Sequence, residues 1–309
     1  MLDILGKRYI FFAISLLAIL PGLIIIALSG GLPLSIDFTG GSQLELAFES
    51  GSAPQPAEVI ELYEEYEISD VSVKTAGENL LIIQSPFLED TTRAALIAEM
   101  ENRFNDQVIV QRSDSVGPAV GKEVASRAFL AVAIAALGVI IYITFAFRGI
   151  QNAFRYGVCA ILAMVHDVLI VLSLTAIGGK FFGWQFDSLT LTALLTVIGF
   201  SVQDKIVVFD RIRENANIFR KLPFETLANH SIIQTLGRSI NTQLMTSEFM
   251  LLALALLGGV TLQQFAIILL LGLFSGTYSS IFIAAPSLVI WQNREWTTWF
   301  KGSKSNATV

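Results

Sequence analysis

Six stretches of the chain are apolar over a length that can cross a bilayer: about 9–29, 127–147, 155–178, 187–209, 240–258 and 263–291. A transmembrane helix needs roughly 20 mainly apolar residues, so each is expected to be a span. The first follows Lys7-Arg8, is too long for the apolar core of a leader and is followed by no small-residue cleavage pattern, so it is read as an uncleaved span. The last is the longest, and its Gly272, Gly276 and Pro286 predict close helix packing and a bend.

Between the first two spans lies the only long polar stretch, residues 30–122, too long for a connecting loop and too patterned for disorder. Residues 42–48 (SQLELAF) alternate polar and apolar as a half-buried strand does. After Pro54 and Pro56, Glu58 to Tyr66 repeats apolar positions at helical spacing. VSVKT at 71–75 and NLLIIQS at 79–85 flank an Ala-Gly-Glu turn, which predicts a hairpin with Gly77 at positive φ. A second helix is expected over 90–105, opened by Asp90-Thr91-Thr92, and VIVQRSDSV closes the segment as a last strand. The order β-α-β-β-α-β is that of the ferredoxin-like split βαβ unit.

Lysine and arginine in short connections set orientation in the membrane. With the N-terminus inside, Lys7, Arg8, Arg148, Arg155, Lys205, the cluster from Arg211 to Lys221, Arg238, Arg294, Lys301 and Lys304 fall on or near the cytoplasmic side, and only Lys180 falls in a short outer loop. Both termini are then inside and residues 30–122 outside. Residues 211–238 mix apolar and charged positions, as an interfacial helix pair broken at Pro223 or a solvated linker would. The expected fold class is an α-helical polytopic membrane protein with six transmembrane helices and a small extracytoplasmic ferredoxin-like domain. Its parts are 1–29 (first helix), 30–122 (outer domain), 123–291 (five-helix bundle with the connection 211–238) and 292–309 (cytoplasmic tail).

Composition narrows the function classes. Of the residues 53% are hydrophobic and only 15% charged, against about 25% charged in soluble domains. A net charge of −6 offers no broad basic face, so nucleic acid is not an expected partner. The single cysteine, Cys159, excludes an intrachain disulfide and a cysteine-rich metal site, and no cofactor is implied.

An ionisable residue inside the bilayer costs about 2.5–3.5 kcal/mol on insertion scales and is a functional candidate by default. Asp204 is the sharpest case, well inside the fourth span ahead of Arg211 and Arg213. Burial and nearby charge can set such a carboxyl near neutrality, where it exchanges protons; the bland alternative is a static buried pair. His166 and Asp167 in the third span can relay protons or orient Asp204, or hold structural hydrogen bonds. Hydrolase chemistry on this His-Asp pair lacks a nucleophile motif, so no enzyme is expected.

Several phrases carry a family resemblance: DFTGG at 37–41 (Asp37, Phe38, Thr39, Gly40, Gly41), VGPAVGKE at 116–123, VHDVLIVL at 165–172, VVFDRIREN at 207–215 and GTYSSIFIAAP at 276–286. Together they resemble the SecF branch of the SecD/SecF family, in the resistance-nodulation-division superfamily. The resemblance implies no ATP hydrolysis by this chain. It implies a partner SecD, the SecYEG channel, the motor SecA, YajC, membrane lipids and exported unfolded polypeptide, with proton motive force promoting translocation after the SecA-driven steps.

The family pattern also places a coupling aspartate in the fourth span and an essential arginine near the start of the fifth, matched here by Asp204 and Arg238. The aspartate is usually followed by a small hydroxyl residue, whereas this chain has Lys205. Lys205 can snorkel toward the cytoplasm or pair with Asp204, and Glu248 in the fifth span is a candidate partner for it. Asp210, Arg211, Arg213 and Glu214 would meet SecD, SecY or lipid headgroups, or serve only as a topology signal. The competing functions are a small-molecule or lipid exporter of the same superfamily, which would need two large outer domains, and a passive scaffold, which gains nothing from Asp204.

Overall fold

The computed structural model describes residues 3–148, 153–243, 249–258 and 260–295. The chain divides into two units, a helical one (Met1–Leu32, Val132–Trp184, Leu189–Val309) and one built on a sheet (Pro33–Ala131 with Gln185–Ser188).

The helical unit starts with α1 (Arg8–Leu28), and the sheet unit with the short α2 (Ile36–Thr39). The sheet unit continues through β1 (Gly41–Phe48), α3 (Pro56–Glu65), β2 (Ser72–Ala76), β3 (Leu80–Ser85), α4 (Asp90–Phe104) and β4 (Val108–Val116). Its strands are ordered β2-β3-β1-β4, with every neighbouring pair antiparallel. Alternation along β1 sends Leu44, Leu46 and Phe48 into the core, where they meet Val59, Leu62 and Tyr63 of α3 and Leu96 and Met100 of α4. The apolar spacing of each helix is what turns one stripe onto the sheet. Between Glu45 and Leu46 the β1–β4 register shifts, so that Glu45 faces Arg112 and Leu46 faces Val110. In the hairpin turn Gly77 has φ +79, as the Ala-Gly-Glu spacing requires.

After β4 come α5 (Pro118–Ala146), α6 (Ala153–Phe182), α7 (Ser188–Ile218), α8 (Phe224–Gln243), α9 (Phe249–Leu257), α10 (Val260–Ser279) and α11 (Ala285–Asn293). A π-helical turn, Ser280–Ala284, joins α10 to α11. Pro286 stands at the start of α11 and has no N–H to donate to the preceding turn, which favours a widened turn just ahead of it. Five helices among the described residues are long and apolar enough to cross a membrane: Leu5–Leu28, Pro118–Ala146, Ala153–Phe182, Ser188–Ile218 and Leu262–Asn293. The chain is thus mostly helical and polytopic, with a small sheet. The expected span 240–258 corresponds to the end of α8 and to α9, with residues 244–248 between them outside the described set. In the connection 211–238, α7 runs on to Ile218 and α8 begins directly after Pro223.

Within the helical unit, α6 packs against α1 and α10. The core gathers Val202, Val208, Phe209 and Ile212 of α7 with Ile232 of α8, Tyr156 and Ala160 of α6, and Leu288 and Val289 of α11. Small residues set the closest approaches: a Cβ at Gly276 would lie 3.0 Å from the Ser201 Cβ, so α10 meets α7 there almost backbone to backbone.

Candidate functional site

The centre of the helical unit holds two buried carboxylates, Asp167 on α6 and Asp204 on α7, and one buried ammonium, Lys205. Three helices supply the partners of Asp167. On Oδ2 it accepts from the Lys205 ammonium at 2.8 Å, the Ser279 hydroxyl at 2.8 Å and the Ser201 hydroxyl. On Oδ1 it faces the Ser275 hydroxyl at 3.0 Å and His166 Nδ1 at 3.1 Å. Helical spacing explains the assembly, because Ser201 and Lys205 are four apart on α7, and Ser275 and Ser279 four apart on α10. Each pair therefore shares a face one turn apart.

Asp204 points to a different set. Its Oδ1 accepts from the Ser239 hydroxyl of α8 at 2.6 Å and its Oδ2 from the Ser280 hydroxyl in the π-helical turn. Asp204 is 8% exposed and Lys205 fully buried, yet the ammonium serves Asp167. Neighbouring helical residues point about 100° apart, so adjacency in sequence does not bring the two groups together. The cluster thus pairs one carboxylate with a cation and leaves the other held by hydroxyls alone among the described residues. Hydroxyls suit either state of such a group, since they donate to a carboxylate and accept from a carboxylic acid.

Of the residues singled out from the sequence, His166, Asp167 and Lys205 come together with each other. Lys205 neither snorkels nor pairs with Asp204: its side chain has no exposed surface and its carboxylate partner is Asp167. A fully hydrogen-bonded buried site outweighs the reach to headgroups here. Glu248 lies outside the described residues. Arg238, on α8, is exposed and does not form an ion pair with Asp204 in this arrangement, although the next residue, Ser239, touches that carboxylate. His166 stacks on Tyr278, with ring centroids 6.2 Å apart, and its Nε2 is buried without a hydrogen-bond partner among the described residues. Asp210 and Arg213 (3.5 Å) and Arg211 and Glu214 (2.5 Å) form pairs along the last turns of α7. Such pairs at a surface contribute little to stability.

The five serines went unassigned in the sequence reading. Their signal is visible in retrospect as hydroxyls inside apolar helices, at i,i+4 spacing for Ser275 and Ser279.

The Asp37 to Gly41 run lies in the sheet unit and has a geometry of its own. Asp37 Oδ2 accepts from the Ser188 backbone N–H at 2.9 Å and from its hydroxyl at 2.7 Å. Phe38 is buried against Phe186, with centroids 5.7 Å apart. The Thr39 hydroxyl donates to the Ser35 carbonyl at 3.0 Å. Gly40 has φ +74, and a Cβ there would lie 2.8 Å from the Pro118 Cα; Gly41 has φ +128, and a Cβ there would lie 2.7 Å from the Ser85 carbonyl oxygen. The two glycines let β1 start in the narrow space between the first residue of α5 and the end of β3.

Comparison with known proteins identifies the family. Residues 96–294 match the family described as protein export membrane protein SecD/SecF, C-terminal, and residues 26–51 match the SecD/SecF GG motif. The chain is 69% identical over 309 residues to the protein translocase subunit SecF of Anaerolinea thermophila, covering 100% of both. It is 43% identical to that of Thermobaculum terrenum, again covering 100% of both. The crystal structure of SecDF from Thermus thermophilus, described as a translocon-associated membrane protein, superposes with a TM-score of 0.81 at 34% identity, covering 95% of this chain and 39% of that one. By matched length and by identity, the chain belongs to the SecD/SecF family of protein-export membrane proteins, on its SecF branch.

Proposed function

We propose that this chain is the SecF subunit of a bacterial Sec protein translocase, which with SecD uses the proton motive force to promote translocation of unfolded polypeptide through SecYEG after the SecA-driven steps. Its near-complete similarity to proteins named translocase subunit SecF supports the assignment. The SecDF crystal structure, of which this chain matches 39%, supports SecD as the partner; YajC belongs to the same expected set. In this reading the chain sits in the cytoplasmic membrane with both termini inside and crosses it six times, with α9 and the end of α8 in the fifth crossing. Residues 30–122 stand outside, and their element order and strand order support a ferredoxin-like class.

One observation carries the coupling reading: Asp204 is buried in an apolar helix with two hydroxyl partners, while the neighbouring ammonium is committed to Asp167. Proton binding changes the charge at Asp204 and so biases the packing of α7 against α8 and the π-helical turn. One elementary charge crossing 100 mV supplies about 2.3 kcal/mol, enough to shift a two-state equilibrium markedly. Arg238 is the counter-charge in the alternative arrangement, one residue from the serine that now holds Asp204. His166 and Asp167 support the relay from α6, with Lys205 fixing the charge of Asp167.

The test is export of a reporter into vesicles with a defined proton gradient, comparing the native chain with Asp204→Asn at equal expression. Loss of the gradient-dependent part of export, with SecD still co-purifying, is the expected result. Unchanged export would reduce Asp204 to a structural group, and loss of SecD co-purification would point to misassembly.

A further inference from the structure

The Lys205 ammonium has three N–H donors, and the structure provides three oxygens for them. They are Asp167 Oδ2 at 2.8 Å, the Ser201 hydroxyl, and the Ser201 carbonyl at 3.4 Å. Ser279 and Ser275 complete the ring from α10, each touching the same carboxylate. One carboxylate, a hydroxyl and a backbone carbonyl, with further hydroxyls close by, are the ligand types that hard cations take. The cage is built rather than incidental, because Lys205, Asp167, Ser201 and Ser279 are fully buried and α10 closes on α7 beside it at Gly276, where a Cβ would lie 3.0 Å from the Ser201 Cβ. An ammonium and a sodium ion carry the same charge, and both require this desolvated carboxylate to be matched by one positive charge.

We propose that these oxygens form a monovalent-cation site, of the sodium or lithium class, which Lys205 fills as a covalently tethered ion. Because the cation is supplied by the chain, the Asp167 cluster takes none from solution. Replacing Lys205 by a shorter neutral residue vacates the cage, and a free ion takes the ammonium's place. The inference concerns the Asp167 cluster alone and stands whether or not Asp204 carries protons.

The purified full chain in detergent tests this without any export assay. Melting midpoints of the native chain, Lys205→Met and Lys205→Thr are compared in sodium chloride and in choline chloride at equal ionic strength and fixed pH. Lys205→Thr keeps a hydroxyl at the position. Sodium is expected to raise the midpoint of both variants saturably, by several degrees at about 100 times its half-saturating concentration, with no such response in the native chain. Adding Asp167→Asn to either variant should abolish the response. Variants that fold only in sodium would show the same effect at its extreme. The proposal is overturned if a folded variant responds equally to sodium and choline, if the native chain responds as the variants do, or if neither variant folds in either salt.

Discussion

The Lys205 ammonium lies 2.8 Å from Asp167 Oδ2, and neither side chain has any exposed surface. The pair fastens α7 to α6 in a region where water cannot compensate a lost partner. Removing one member of a buried ion pair costs about 3–5 kcal/mol, because the survivor keeps its charge, whereas replacing both by apolar groups is often close to neutral. In sodium-free buffer Lys205→Met and Asp167→Leu are each expected to lose stability of that order. The double replacement Lys205→Met with Asp167→Leu is expected to lose less than either. A double-mutant cycle on detergent unfolding measures the coupling, and additive losses would show that the two charges do not act as a pair.

The hold on Asp204 predicts a smaller and divided effect. Ser239 and Ser280 each occupy one carboxylate oxygen. Ser239→Ala or Ser280→Ala leaves that oxygen buried without its donor, at about 1–3 kcal/mol. Because the serines stand on separate elements, the two losses are expected to be felt in the packing of different segments. Hydrogen exchange measured on α8 and on the stretch around the π-helical turn should show the first protection loss near Ser239 and the second near Ser280; loss confined to one segment in both variants would contradict the arrangement.

What could be read from the sequence was whatever depends on period and punctuation. Strands β1 to β4 and helices α3 and α4 follow from alternation, helical spacing, Pro54, Pro56 and Gly77, all local signals. The partner of Lys205 was not local. Sequence adjacency favours Asp204, yet the true neighbour is 38 residues away on another helix, and only the packing of α6 against α7 and α10 decides which faces meet. The serine hydroxyls were hidden for the same reason, since a serine in an apolar helix has no meaning until the opposite face is known. In the Asp37 to Gly41 run, the two glycines were visible as part of a family phrase, but the approach of Pro118 and Ser85 that makes the need for them strict is tertiary.

That run yields a contrast between two glycines close to the same junction. Gly40 has positive φ, and a Cβ there would crowd the backbone of Pro118; at Gly117 a Cβ would meet nothing within 4 Å. Backbone crowding cannot be relieved by moving a flexible side chain, so Gly40→Ala combines conformational strain of about 1–3 kcal/mol with overpacking of similar size. Gly117→Ala is expected to be tolerated. Unfolding of the sheet unit, followed by limited proteolysis in urea, should separate them clearly, and equal midpoints would mean that the close approach at Gly40 is not maintained.

Tyr63 offers a test of the sheet unit's core with a pH signature. Its side chain is fully buried between α3 and the sheet, and its hydroxyl has no hydrogen-bond partner among the described residues. Burial disfavours the charged phenolate and holds its pKa well above the usual value near 10. In the unfolded chain the phenol ionises near that ordinary value, while in the folded chain it stays neutral to higher pH. The stability it contributes is therefore complete below about pH 10 and is lost progressively as the pH rises from there toward the folded value. Tyr63→Phe keeps the ring and removes both the ionisable group and the uncompensated hydroxyl, whose burial costs about 1–3 kcal/mol. The variant is expected to be at least as stable as the native chain near pH 8 and to lose less stability near pH 11, as read from urea midpoints of the sheet unit at the two pH values. A clear loss at pH 8 would mean that the hydroxyl is bonded in the folded chain, because only a satisfied group is missed when it is removed.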